Sequence, residues 1–289
     1  MKLNFIDIQL VISFYAKVEL VKKRYGKDND FVLEASTSLE DVLAWTEAIY
    51  KEKSVVDLKI PESVWKWFLE VVMGAYKKAQ NDLVRRMILV KIIHTREVVR
   101  AGFEIVSAEK KFEWNEYQVG TVCLLHDIAR FEQALLGSFS DEKTGFNHAV
   151  KGGEMIETHE FDDFAKLGID KEKVVLSVKN HSKYKYSGEE AYAKLIRDAD
   201  KLALLRAMPE ILASRIKDYD EGQVSEVVLK AYKEGRIVHH KDIKYRVDLF
   251  VSWLAWEFDL NFTETKRLFV ADGIKGWIED GLKSFRVVL

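Results

Sequence analysis

The chain has 289 residues, 48% hydrophobic and 32% charged, the balance of an ordinary globular protein with enough length for one large domain or two small ones. Its 45 basic and 47 acidic residues leave a net charge of -2, so no global basic field recruits nucleic acid, and no nucleic-acid partner is expected. The single cysteine, Cys123, excludes an intrachain disulfide and fits a reducing compartment. Asp7, Lys17 and Glu19 interrupt the apolar N-terminus and no small-residue cleavage site follows, which argues against a signal peptide. No apolar run is long enough to span a bilayer, so no membrane partner is expected and the cytoplasm is the plainest location.

Only two prolines, Pro61 and Pro209, interrupt the chain, and the apolar periodicity is helical almost throughout. A first helix is predicted over Ile6 to Tyr25, and a second over Leu39 to Lys51, with Ser38 as its cap and Asp41 placed for a capping interaction. Pro61 suits the first turn of a third, Glu62 to Ala79. Asn81 caps a long fourth helix through His94 to about Lys110, and Asn115 caps a fifth, Glu116 to about Leu135. Gly137 to Asn147 is polar and reads as a loop. Helices resume from His148, Lys171, Glu189 and Val224. The aromatics of Asp242 to Phe258, namely Tyr245, Phe250, Trp253, Trp256 and Phe258, read as core. No repeat, low-complexity segment or Gly/Ser/Pro-rich linker divides the chain. The fold expected is therefore all-α and a single domain over 1–289. Residues 1–85 form accessory helices, 86–215 the core, and 216–289 C-terminal helices packing on that core.

The most informative feature is the adjacent pair His126-Asp127, directly after the apolar run Val119 to Leu125. His94 lies upstream on another predicted helix. Asp200 lies downstream in Arg197-Asp198-Ala199-Asp200-Lys201-Leu202. Side chains from facing helices of a bundle can converge on one interior site. Imidazole and carboxylate together suit Mn, Fe, Co, Ni or Zn, whereas carboxylates alone favour Mg. Gly152-Gly153 sits in no phosphate-loop pattern. Cys123 reads as packed rather than nucleophilic, and His239-His240 reads as an exposed loop.

The order His94, His126-Asp127, Asp200 resembles that of the HD superfamily of metal-dependent phosphohydrolases. The runs His94-Thr95-Arg96-Glu97-Val98-Val99, His126 to Gln133, Asn147-His148-Ala149, Asn180-His181-Ser182-Lys183-Tyr184 and Ile196 to Leu202 are similar to one group within it. The similarity extends through Val247 to Phe262, about the last two thirds of the chain. It implies an HD-domain helical bundle with additional N-terminal and C-terminal helices. It also implies primary metal ligands at His94, His126, Asp127 and Asp200, with Asp198 as the alternative to Asp200. His148 and His181 match the extra histidines of a two-metal branch. That branch commonly has a His-His pair where this chain has Asn180-His181. One divalent transition metal is therefore preferred and a second left open.

On this reading a metal lowers the pKa of water towards ~7. Asp127 orients or deprotonates that water, and His148 and His181 line the cleft as catalytic groups that serve the leaving group. Arg130, Lys183 and Lys185 are the expected substrate-binding cations, with Lys179 nearby. The expected function is hydrolysis of a small-molecule phosphate ester, conceivably a nucleotide, by a phosphomonoesterase or phosphodiesterase. The alternatives are a non-catalytic helical regulatory or binding module and a di-iron HD-type oxygenase, the last requiring His148 and His181 as ligands. An oligomer is compatible with the sequence.

Overall fold

A computed structural model describes residues 59–215 and 219–287 together with Leu39, with side chains described outside 208–215. The helices expected over Ile6 to Tyr25 and Leu39 to Lys51 lie outside the described residues, apart from Leu39. The described chain is helical, its one β feature an isolated bridge between Asp220 and Tyr245. Among the described residues no helix is long and apolar enough to cross a membrane.

Helix α1 (Glu62–Lys78) begins at Pro61, which sits at the N-cap with extended backbone rather than inside the first turn. Helix α2 (Asp82–Ala108) starts where the Asn81 side chain accepts from the Val84 amide at 3.0 Å. Its 27 residues make a rod about 40 Å long. Seventeen of them are buried, more than one face can supply, so α2 runs through the middle of the molecule.

Asn115 caps α3 (Glu116–Leu125), accepting from the amides of Tyr117 and Gln118. The sequence predicts one helix to about Leu135. The structure instead breaks at His126 to Ala129 and restarts as α4 (Arg130–Ala134). The amides of Ile128 and Arg130 bond three residues back, to Leu125 and Asp127. All of His126, Asp127, Ile128 and Ala129 are buried. Helix α3 is itself buried continuously from Gln118 to Leu125, so burial runs unbroken from the helix into the turn. With helix and turn equally buried, the apolar pattern carries no mark of where the helix stops.

The segment read as a loop holds a short helix, α5 (Asp141–Thr144), capped by Ser140 and closed by Gly145 at φ 62. Helix α6 (His148–Thr158) is capped by Asn147. After α7 (Phe164–Leu167), α8 (Lys171–Asn180) packs along α6. Gly152 permits that approach, because a Cβ there would stand 3.3 Å from Val178 and 3.4 Å from Ile128. Helix α9 (Ala191–Arg215) lies along α2 and also contacts α8.

Four C-terminal elements follow: α10 (Glu226–Lys233), α11 (Arg246–Ala255), α12 (Thr263–Ala271) and α13 (Ile274–Ser284). They pack on one another, and α12 and α13 also contact α9. Asp248 organises the entry to α11. Its carboxylate accepts from the amides of Ser225, Lys244 and Tyr245 and from the Ser225 hydroxyl. Phe250 and Trp253 are core, as the aromatic stripe suggests, whereas Phe258 is exposed.

Candidate metal centre

The strongest sequence signals converge. His94 comes from the middle of α2, His126 and Asp127 from the turn after α3, His148 from the start of α6, and His181 from the end of α8. All five side chains are buried. The Asp127 carboxylate lies at the centre. Its Oδ2 is 3.5 Å from His126 Nε2 and 3.9 Å from His94 Nε2. Its Oδ1 is 3.5 Å from both His148 Nε2 and His181 Nε2. Two trios with metal-holding spacing result, His94/His126/Asp127 and Asp127/His148/His181, sharing the one carboxylate. Asp200 Oδ1 stands 3.0 Å from His94 Nε2, at the edge of the first trio.

The outer nitrogens are already committed. His126 Nδ1 bonds the Cys123 carbonyl at 2.8 Å and His181 Nδ1 the Val178 carbonyl at 2.7 Å. His148 Nδ1 bonds Asp141 at 2.8 Å. Carbonyl and carboxylate oxygens accept, so each Nδ1 donates, which turns the Nε2 lone pairs inward. His126 Nε2 is fully buried with no hydrogen-bond partner. His94 Nε2 is also unsatisfied, its contact with Asp200 lacking hydrogen-bond geometry. His148 Nε2 and His181 Nε2 face each other at 3.2 Å, a contact that requires a proton or a cation between two lone pairs. Orphaned buried acceptors aimed at a shared carboxylate fit a divalent cation well, and nitrogen-rich donors suit Mn, Fe, Co, Ni or Zn.

Burial pushes His94 down to about 4, helped by Lys91, with Asp200 opposing. Burial does the same to His148, also to about 4, against the pull of Asp141 and Asp127. Burial would lower His126 too, but Asp127 and Asp200 outweigh it and the net shift is upward. Asp127 would be raised by burial, yet Lys91 and His126 hold it well below the usual carboxylate range.

Asp198 and Asp200, two residues apart on α9, part company. Asp200 reaches the site, while the Asp198 carboxylate accepts from the backbone amides of Asn261 and Phe262 and from the Asn261 side chain. Arg130 does not project freely towards a substrate. Its Nη1 is engaged by Gln133, the Phe139 carbonyl and Asp141, and its Nε lies 3.5 Å from Asp127 Oδ1. Lys183 and Lys185 are exposed on the segment after α8, and among the described residues no ion pair joins either to the cluster. Lys179 pairs with Glu157 on the outside. Cys123 is fully buried, its thiol pushed up to about 12 by desolvation, which fits packing rather than nucleophilic attack.

Two participants escaped the sequence reading. Lys91, one turn before His94 on α2, places Nζ 2.6 Å from Asp127 Oδ2. The signal available was its three-residue spacing from His94, which puts both on one helix face. Asp141, in the polar loop, supports His148 with both carboxylate oxygens. Nothing local marks it beyond its place after the helix-capping Ser140.

Neither curated proteins nor solved structures supply a match. Residues 92–205 match the family model described as HD domain, a span containing His94, His126, Asp127, His148, His181 and Asp200. With that match over the helices that carry the cluster, the chain carries an HD domain over residues 92–205.

Proposed function

We propose that the chain is a metal-dependent phosphohydrolase that cleaves a phosphate ester of a small molecule, using two divalent cations that share Asp127. HD domains are typically metal-dependent hydrolases. The observation that carries the two-cation form is the pair of trios meeting at one carboxylate. The sequence favours a single metal because Asn180 stands where a second adjacent histidine is common. In three dimensions His181 gains its histidine neighbour from α6 instead.

Divalent cations at such a cluster lower the pKa of water towards ~7 and polarise phosphoryl oxygens. His94, His126 and Asp127 Oδ2, with Asp200 beside them, would hold one; His148, His181 and Asp127 Oδ1 the other. His148 and His181 are then ligands rather than acids for the leaving group, since a ligating Nε2 has no proton to give. Lys91 is the cation best placed to meet a phosphoryl oxygen. Its Nζ bonds Asp127 at the cluster, whereas the equally exposed Arg130 is held by Gln133, the Phe139 carbonyl and Asp141. In the reaction, water oxygen bonds to phosphorus, the ester P–O bond breaks, and the departing oxygen leaves as an alcohol carrying a proton.

The test is metal analysis of the purified chain followed by a panel of phosphate mono- and diesters. Hydrolysis that requires metal and disappears in Asp127→Ala supports the proposal. Equal turnover by metal-free protein refutes it. A second reading, oxidation of an organic substrate at a di-iron site, draws on the same convergence of His148 and His181 on Asp127. Iron-dependent oxygen consumption without phosphate release would favour it.

A further inference from the structure

Three of the clustered histidines donate Nδ1–H, and two do so to a carbonyl three residues earlier in their own chain. His126 uses Cys123 and His181 uses Val178, each at the end of a helix that supplies the carbonyl. His148 cannot. It is the first residue of α6, and no helical turn precedes it. Its support comes from a side chain instead: Asp141, on the four-residue helix α5, accepts from Nδ1 through Oδ1 at 2.9 Å and Oδ2 at 2.8 Å.

Asp141 is itself fixed. Oδ1 accepts from Gln133 Nε2 at 2.9 Å and from Arg130 Nη1 at 3.0 Å. Gln133 Nε2 also reaches the Thr144 hydroxyl and the Phe146 carbonyl, which straps the loop to α4. Arg130 lies between two carboxylates, Asp141 on one side and Asp127 on the other. The ring of contacts Asp127, Arg130, Asp141, His148 passes through the second trio and meets the first only at the shared Asp127. His94 comes from the middle of α2 and meets a different carboxylate, Asp200, through Nε2; among the described residues no bond joins it to Asp141.

We propose that Asp141 is a positioning residue that orients His148 and so sets the affinity of the second cation independently of the first; this rests on the two-cation reading above. A carboxylate behind a ligating imidazole fixes its tautomer and raises its basicity, and removing such a partner typically costs 10–100-fold in metal affinity. Because Asp141 is 34% exposed on a short loop helix, the second cation depends on an element that the first does not use.

The experiment titrates metal-free full-length chain with Co2+, followed by visible absorption and equilibrium dialysis, for wild type, Asp141→Asn and Asp141→Glu. Helical circular dichroism is recorded for each. Wild type binds two equivalents. Asp141→Asn binds the first as wild type does and the second about 10–100-fold more weakly, and Asp141→Glu recovers part of that loss. An unchanged second affinity in Asp141→Asn overturns the role of Asp141, as does equal weakening of both equivalents in a folded variant. One equivalent in wild type overturns the two-cation reading itself, a separate outcome. Nitrogen-15 spectra of histidine-labelled wild type keep the test open if the variants lose helicity. A proton on His148 Nδ1 supports the proposal, and a His148 ring protonated at Nε2 alone refutes it.

Discussion

The two trios around Asp127 are built by different means. In the first, His94 rises from the centre of a 27-residue buried helix and His126 from a turn with no exposed residue. In the second, His148 opens a helix directly after a loop, and its orientation depends on a partly exposed carboxylate of that loop. A ligand inside a long helix inherits its position from the core. A ligand at a helix start must be held by named side chains. The trios therefore differ at one histidine each: packing within α2 places His94, whereas the Asp141 side chain holds His148.

The most drastic way to break this comparison is Asp127→Ala, which removes the carboxylate common to both halves. Bound metal should fall from two equivalents to none and turnover to background, with helical circular dichroism retained. Elemental analysis and a kinetic assay on the same sample check it, and retained metal would show that Asp127 is not shared. Next in size, His148→Ala/His181→Ala removes the second half alone. Expected is one equivalent lost and one kept, with activity abolished; a variant that keeps all its metal would restore the single-metal reading. Lys91→Met should leave both equivalents in place while lowering kcat/KM by about 10–100-fold, the worth of a charged hydrogen bond of about 1.5–3 kcal/mol. Unchanged kinetics would remove Lys91 from substrate binding.

The smallest effect concerns acid stability of the metal-free chain, where the halves should behave alike. His94 in one and His148 in the other are both held down to about 4, against an ordinary value near 6.5. Between those values the unfolded chain binds up to two more protons than the folded one, so stability falls as pH drops from about 6.5 to 4. His126 is shifted upward, so its contribution to the slope has the opposite sign and falls away below about pH 6.5 as both states become protonated. Denaturant titrations at stepped pH read this directly. Stability rising on acidification in that range would contradict it.

Much of the arrangement was legible before any coordinates. Asn81 and Asn115 cap the helices that carry His94 and lead to His126, and cap chemistry is local. The pair His126-Asp127 and the flanking context of Asp200 led to the cluster, and Asp198 is bonded instead to Asn261 and Phe262. What escaped was non-local or lay between elements. Burial runs unbroken from Gln118 through the turn at His126 to Ala129, so periodicity does not mark where the helix ends. The pairing of His148 with His181 spans 33 residues, so the missing neighbour of His181 in sequence was no guide to its neighbour in space. Arg130 invited assignment to a phosphate because it stands one turn from the cluster. Its partners Phe139 and Asp141 lie in the very loop that carried no pattern.

The grip of the C-terminal elements on α9 bears on the timing of biosynthesis. Arg197 and Lys201 both pair with Asp259, and Asp198 is satisfied by Asn261 and Phe262. These three residues bracket Asp200 on the helix. A nascent chain still lacking residues 259–262 holds every histidine of the cluster, yet leaves a buried arginine and a buried aspartate without these partners. Buried charges stripped of their partners are strongly unfavourable. The ribosome therefore delivers the clustered histidines before the residues that partner Arg197, Asp198 and Lys201, and the packing around Asp200 is completed late in the protein's synthesis.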